Sequence, residues 1–255
     1  MTVLSVNLNK VALLRNQRDL TYPNVPEMAR IAISVGADGI TVHPRPDERH
    51  IRRADVRELA AMLKAEYAGS IEFNIEGYPS DDFIGLVEET RPDQVTLVPD
   101  APEQNTSDHG WNVPAAHDQL LHCIPRIKQT GARVSLFLDD DPSLPAAAAS
   151  VGADRIELYT GPYHHAFMEG RAAEAIGRFV ATARAASDAG LGVNAGHDLN
   201  LENLGGFLSA IPWVAEVSIG HAITADALKW GMAETVRRYV HLIEVSTAQP
   251  ARQAV

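Results

Sequence analysis

Histidine, glutamate and arginine recur in this sequence at the points where short apolar runs stop. After Ile40, Thr41 and Val42 come His43, Arg45 and His50, with Pro44 and Pro46 among them. "EFNIE" ends on Glu76, "NAGHD" carries Gly196, His197 and Asp198, and "SIGHA" carries Gly220 and His221. Near the start stand Asn7, Asn9 and Lys10, followed by Arg18. A histidine near neutral pKa and a carboxylate held among apolar neighbours can exchange protons at physiological pH. The arginine fork matches phosphate geometry, so Arg18, Arg45 and His50 suggest one anion site, stiffened by the two prolines. The glycines before His197 and His221 suggest a second: they let backbone N–H groups approach an oxyanion, and a following helix N-terminus adds its dipole. The plainer alternative is that these glycines only make tight turns.

Such residues need a scaffold that aims strand ends at one point. Strand candidates fall at 3–8, 38–43, 71–76, 94–98, 133–138, 155–159, 192–196 and 216–220. Most read as short continuous apolar runs, the signature of strands buried on both faces of a parallel sheet. Segments of helical period lie between them, such as Val56, Leu59, Ala60 and Leu63, or Ile176, Phe179, Val180 and Ala183. Eight strand–helix units in 255 residues predict an α/β fold, a single (β/α)8 TIM barrel with parallel strands. "SVGADGITVH" and "SVGADRIELY" repeat a helix end, a glycine suited to a left-handed cap and a strand. Residues 1–245 are expected to form the barrel and 246–255 a polar tail.

The formal net charge of −11 argues against a nucleic-acid or anionic-membrane partner. Positive contacts to an anionic substrate must therefore be local. Cys123 is the lone cysteine and fits a reducing compartment. No signal peptide and no apolar stretch long enough for a membrane span is evident, so a cytoplasmic protein is expected. The histidines show no zinc-protease spacing, and His117, His122, His164 and His165 read as surface residues. Asp139, Asp140 and Asp141 read as caps for the helix after strand five. Lys10 alone among four lysines sits at a strand end, and is taken as a phosphate or carbonyl contact rather than a Schiff-base nucleophile.

"VNLNKVALLRNQR", "GADGITVHPRPDERHI", "EFNIEGYP", "PDQVTLVPD", "VSLFLD", "VNAGHDLN" and "EVSIGHA" together resemble the pyridoxine 5′-phosphate synthase family, from about residue 4 to 243. The resemblance implies a barrel without metal or organic cofactor. It implies condensation of 1-deoxy-D-xylulose 5-phosphate with 3-amino-2-oxopropyl phosphate to pyridoxine 5′-phosphate, phosphate and water. It makes His43 the catalytic base, Glu76 a second proton acceptor and His197 the proton donor, with Glu72 a rival for the role of Glu76. Asn7, Arg18, Arg45, His50, Thr106, Gly220 and His221 fall at substrate-binding positions. Asn9, Lys10 and Asp198 are also assigned to substrate contacts, although some members carry Asp, His and Gly there. A homo-octamer is implied by the same resemblance, and loop 99–114 is a lid candidate. Two rival classes stay open: another phosphosugar-handling barrel enzyme (an epimerase or lyase), and a non-catalytic phosphate-ligand binding protein.

Overall fold

The structure is a computed structural model, and it describes residues 2–100, 104 and 107–248. Eight parallel strands close into a barrel in chain order. They are β1 (Val3–Asn7), β2 (Gly39–Val42), β3 (Glu72–Gly77), β4 (Gln94–Leu97), β5 (Arg133–Leu138), β6 (Arg155–Leu158), β7 (Gly192–Gly196) and β8 (Glu216–Ile219). Closure comes from β1 pairing with β8, Val3 opposite Glu216 and Val6 opposite Ile219. Around the barrel run α1 (Asn9–Arg15), α2 (Val25–Ile33), α3 (Arg53–Tyr67), α4 (Asp81–Thr90), α5 (His117–Lys128) and α6 (Pro145–Ser150). They continue with α7 (Gly161–Met168), α8 (Ala172–Asp188), α9 (Leu204–Ala210), α10 (His221–Trp230) and α11 (Met232–Thr247). Three connections thus hold two helices where one per strand was expected: α1 with α2, α7 with α8, and α10 with α11.

The barrel is built by alternation rather than by continuous apolar runs. Ile40 and Val42, Phe73 and Ile75, and Val95 and Leu97 join the core under the helices. The residues between them turn inward, because side chains of a strand alternate faces. Their hydrogen bonds cross the interior: Gln94 Nε2 donates to Glu216 Oε2 at 3.2 Å, and Arg155 donates to Asn194 Oδ1 at 3.1 Å. Higher up, Ser5 meets Thr41 at 2.7 Å, and Thr96 donates to Asn74 Oδ1 at 3.2 Å. A barrel of this fold is usually filled by branched aliphatics; this one is filled by amides, hydroxyls and carboxylates.

The repeated "SVGAD" segments behave as their glycines suggest, with Gly36 at φ +107 and Gly152 at φ +92 closing α2 and α6. The aspartates after β5 do not cap a helix. Asp139 accepts from the Gly110 N–H, Asp140 pairs with Arg178, and Asp141 accepts from Ser143 N–H, while Leu144 is the uncapped start of α6. The last helix runs on through Ser246 and Thr247, the first residues assigned to the tail.

Candidate active site

A cavity of about 310 Å³ opens at the C-terminal ends of the strands. Eleven of the residues named from the sequence line it: Asn7, Asn9, Lys10, His43, Arg45, His50, Glu76, His197, Asp198, Gly220 and His221. Thr106 lies outside the described residues. Arg18 is exposed beyond the end of α1, on a segment whose backbone folds back to Arg15, and does not join Arg45 and His50. Of the three residues read as one anion site, Arg45 and His50 line the cavity, with Lys10, and Arg18 does not.

The first strand end organises the next two. The Asn9 N–H donates to Asn7 Oδ1 at 3.0 Å, and Asn7 Nδ2 donates to Glu76 Oε2 at 3.2 Å. Asn9 Oδ1 accepts from the His43 backbone N–H at 2.8 Å, pinning the residue that leaves β2. His43 Nδ1 then stands 3.9 Å from Glu76 Oε2. Burial pushes Glu76 up to about 7, Asp100 adding to the rise while His197, Arg45 and the Asn7 hydrogen bond oppose it. Burial, then Arg45 and His50, hold His43 well below the usual histidine value. At neutral pH the site thus offers a neutral imidazole next to a carboxyl poised between its two forms.

The loop after β2 is held from two sides. Arg15 forks onto both oxygens of Asp55 at the start of α3, and Asn16 Nδ2 donates to the carbonyls of Arg49 and His50 at 3.1 and 2.8 Å. Arg45 is buried, ion-paired with Asp100, and donates to Gln104 O at 2.9 Å. His50 Nδ1 accepts from Ile51 N–H at 2.9 Å, so in the neutral ring Nε2 carries the proton and can donate. Burial, then Arg45 and Lys10, bring His50 down to about 4.

At the far side, the two glycines serve packing first. A Cβ on Gly196 would sit 2.0 Å from the Ser218 carbonyl oxygen, and one on Gly220 would sit 3.0 Å from the Asn7 side chain. Only the second glycine leads straight into a helix, as the N-cap of α10. After β7 the chain turns, and α9 begins only at Leu204, so "NAGHD" has no helix N-terminus of its own.

Glu157, Ser107 and Ser218 also line the cavity and were not foreseen. Glu157 is buried at the middle of β6, where burial and nearby Glu76 raise it well above the usual carboxylate range. An acid inside "RIELY", with one apolar neighbour on each side, was the available signal. Among the described residues, no group of three or more His, Cys, Asp or Glu converges as a metal site, and no helix is long and apolar enough to cross a membrane.

The architecture and the chain both have relatives. A solved phosphoribosyl anthranilate isomerase from Thermus thermophilus is 14% identical, with a TM-score of 0.57 over 96% of this chain and 99% of that one, a likeness of fold alone. The pyridoxine 5′-phosphate synthase of Chelativorans sp. (strain BNC1) is 54% identical over 244 residues, 94% of this chain and 98% of the relative. That of Mesorhizobium japonicum is 55% identical over 238 residues, 93% and 96% of the two chains. The family described as pyridoxal phosphate biosynthesis protein PdxJ matches residues 4–245, and the chain belongs to that family.

Proposed function

We propose that the chain is a pyridoxine 5′-phosphate synthase, condensing 1-deoxy-D-xylulose 5-phosphate with 3-amino-2-oxopropyl phosphate to pyridoxine 5′-phosphate, phosphate and water. One observation carries the assignment of the chemistry to this cavity: His43, Glu76 and His197, from three different strand ends, face one space, with Glu76 poised at about 7. An amine must add to a ketone, water and phosphate must leave, and a carbon–carbon bond must close the ring. Each step takes a proton from one atom and returns it at another. Neutral His43 is the base, Glu76 accepts and returns protons, and His197 donates. Glu157, which burial and nearby Glu76 raise well above the usual carboxylate range, is a second buried carboxyl within the same space.

The two phosphates find separate positive ground. Lys10, Arg45 and the His50 Nε2–H serve one; the Gly220–His221 start of α10 serves the other, where free N–H groups and the helix dipole favour an anion. Phosphate leaves more readily once its charge is met by such preorganised donors. Residues 1–245 form the catalytic unit in this reading, with 246–255 outside it. A cytoplasmic homo-octamer, working without metal or organic cofactor, belongs to the same reading and is supported by the family resemblance.

Incubation with both substrates tests the reading. Pyridoxine 5′-phosphate should form only when both are present. Turnover of a single phosphosugar would favour an epimerase or lyase, and tight binding of both without product would favour a binding protein.

A further inference from the structure

The turn after β7 is held more firmly than a strand end requires. Leu199 N–H donates to Gly196 O at 2.8 Å, closing a turn around His197 and Asp198. Thr160 Oγ1 donates to the same carbonyl at 2.8 Å and accepts from Asp198 N–H at 3.3 Å. Asn203 Nδ2 donates to Asp198 O at 3.2 Å. Within this frame His197 sits at φ +31, a left-handed conformation that residues with a Cβ adopt only when their surroundings impose it. The imposed geometry places Asp198 Oδ2 2.8 Å from His197 Nδ1. Tyr159 stands edge-on to the imidazole with centroids 5.7 Å apart, and Phe137 lies at 6.2 Å.

We propose that Asp198 is a positioning residue for His197 rather than a substrate contact: its carboxylate accepts a hydrogen bond from Nδ1–H and so fixes the ring that exchanges a proton with the substrate. The proposal rests on the synthase reading, in which His197 is the proton donor. A donor must hold its proton when its step begins, and a carboxylate against the ring favours the charged imidazole. Burial pushes Asp198 up, but the hydrogen bond and charge of His197, together with His164 and His165 of α7, outweigh it and hold Asp198 below the usual carboxylate value, so it is an anion at neutral pH. Among the described residues, titratable groups around the ring include His43, Glu76 and Tyr159, with Asp108 and Asp139 near the tyrosine. Glu76, at about 7, gains and loses its charge within the working range. Asp198 is therefore an anion held against the ring that keeps its charge while Glu76 changes state.

The test uses the full chain and two variants. Asp198→Asn keeps the shape and loses the charge; Asp198→Glu keeps the charge. The His197 ring is titrated by nitrogen NMR, with His197→Asn identifying its signals, and kcat and KM are followed against pH. In Asp198→Asn the His197 midpoint should fall by about one unit or more, the scale of a lost adjacent charge. Its kcat should fall about tenfold or more above neutral pH and recover toward acid, while both KM values stay within about threefold, since a lost proton donor affects turnover rather than uniform binding. Asp198→Glu should keep the midpoint near that of the parent. An unmoved midpoint in Asp198→Asn overturns the proposal. So does a tenfold rise in either KM without a moved midpoint, which would return Asp198 to substrate binding, and so does an equal shift in both variants, which would make the effect one of backbone distortion. The titration needs no turnover, so failure of the synthase reading, seen as no product from the parent protein, is a separate result.

Discussion

Strand β3 carries two inward glutamates, Glu72 and Glu76, at opposite ends of one barrel, and they live different lives. Glu72 is ion-paired with Arg133, and beside it Glu216 pairs with Arg155 at 3.3 Å. Glu76 receives an amide hydrogen from Asn7 and faces an imidazole 3.9 Å away. Cavity size does not separate the two ends, which hold about 280 and 310 Å³. Partner chemistry does. Guanidinium groups hold their charge at any working pH, so the lower end is fixed structure. The Asn7 amide and the His43 imidazole leave Glu76 free to change protonation state, and there the chemistry can be done. The rivalry between Glu72 and Glu76 for one catalytic role is thereby a question of which end of the strand each occupies.

The largest expected effect tests that distinction directly. Glu76→Gln should lose roughly 10²–10⁴ in turnover, as should His43→Asn and His197→Asn, the usual range for a positioned acid or base. Glu72→Gln should leave turnover within about threefold, because its end of the barrel takes no part in proton transfer. Single-turnover product formation for the four variants decides it, and equal losses in Glu72→Gln and Glu76→Gln would erase the contrast.

Next in size is the cost of disturbing the lower end. Burial, reinforced by Glu72, raises Glu216 well above the usual carboxylate range, and Arg155 pulls it back. A raised folded value gives stability that is complete below the unfolded carboxylate value and is lost as pH rises through the folded one. Arg155→Met removes the opposing cation, so it should cost about 3 kcal/mol above neutral pH and less in acid, where Glu216 is protonated. Denaturant unfolding at the two pH values measures this; an equal cost at both would show that Arg155 acts through packing alone.

At the upper end, Arg45→Ala should weaken deoxyxylulose phosphate binding by about 1.5–3 kcal/mol, the scale of a charge-assisted contact. Unchanged affinity would confine Arg45 to its pairing with Asp100. The pH dependence should follow Glu76 rather than His43. The carboxylate must be ionised to accept a proton, so kcat/KM should rise with pH up to about 7 and then level. His43, held well below its usual value by burial, is already neutral there and adds no step in that range. A limb that persists in the residual activity of Glu76→Gln would assign it elsewhere. The smallest effect is none: activity should survive exhaustive EDTA treatment, and a loss restored by added metal would overturn the cofactor-free reading.

Much of the site was legible because apolar runs announce where strands stop, and this fold does its chemistry at those stops. His43, Glu76, His197 and His221 were found that way. Helix ends were legible through Gly36 and Gly152, whose backbone conformation few other residues accept. What escaped notice depends on closure. Gln94 and Glu216 are 122 residues apart and touch only because the sheet curls round to meet itself. No local period reveals such a pair. Glu157 was absorbed into an apparent apolar strand, because alternation is hard to see over four residues. Arg18 shares its residue type with Arg45 but lies past the end of α1, and sequence distance carries no information on which way a loop turns.

The pairing of Val3 with Glu216 also has a meaning in time. The outer edge of β1 emerges first from the ribosome, and its hydrogen-bonding partner is about two hundred residues away. At synthesis rates of about 5–20 residues per second, that edge waits roughly 10–40 s for its mate. Throughout that interval the nascent chain exposes an unpaired strand able to recruit any other extended segment. In a ring-shaped sheet the strand made first thus waits longest for its second partner, and α10 and α11 follow the strand that ends the wait.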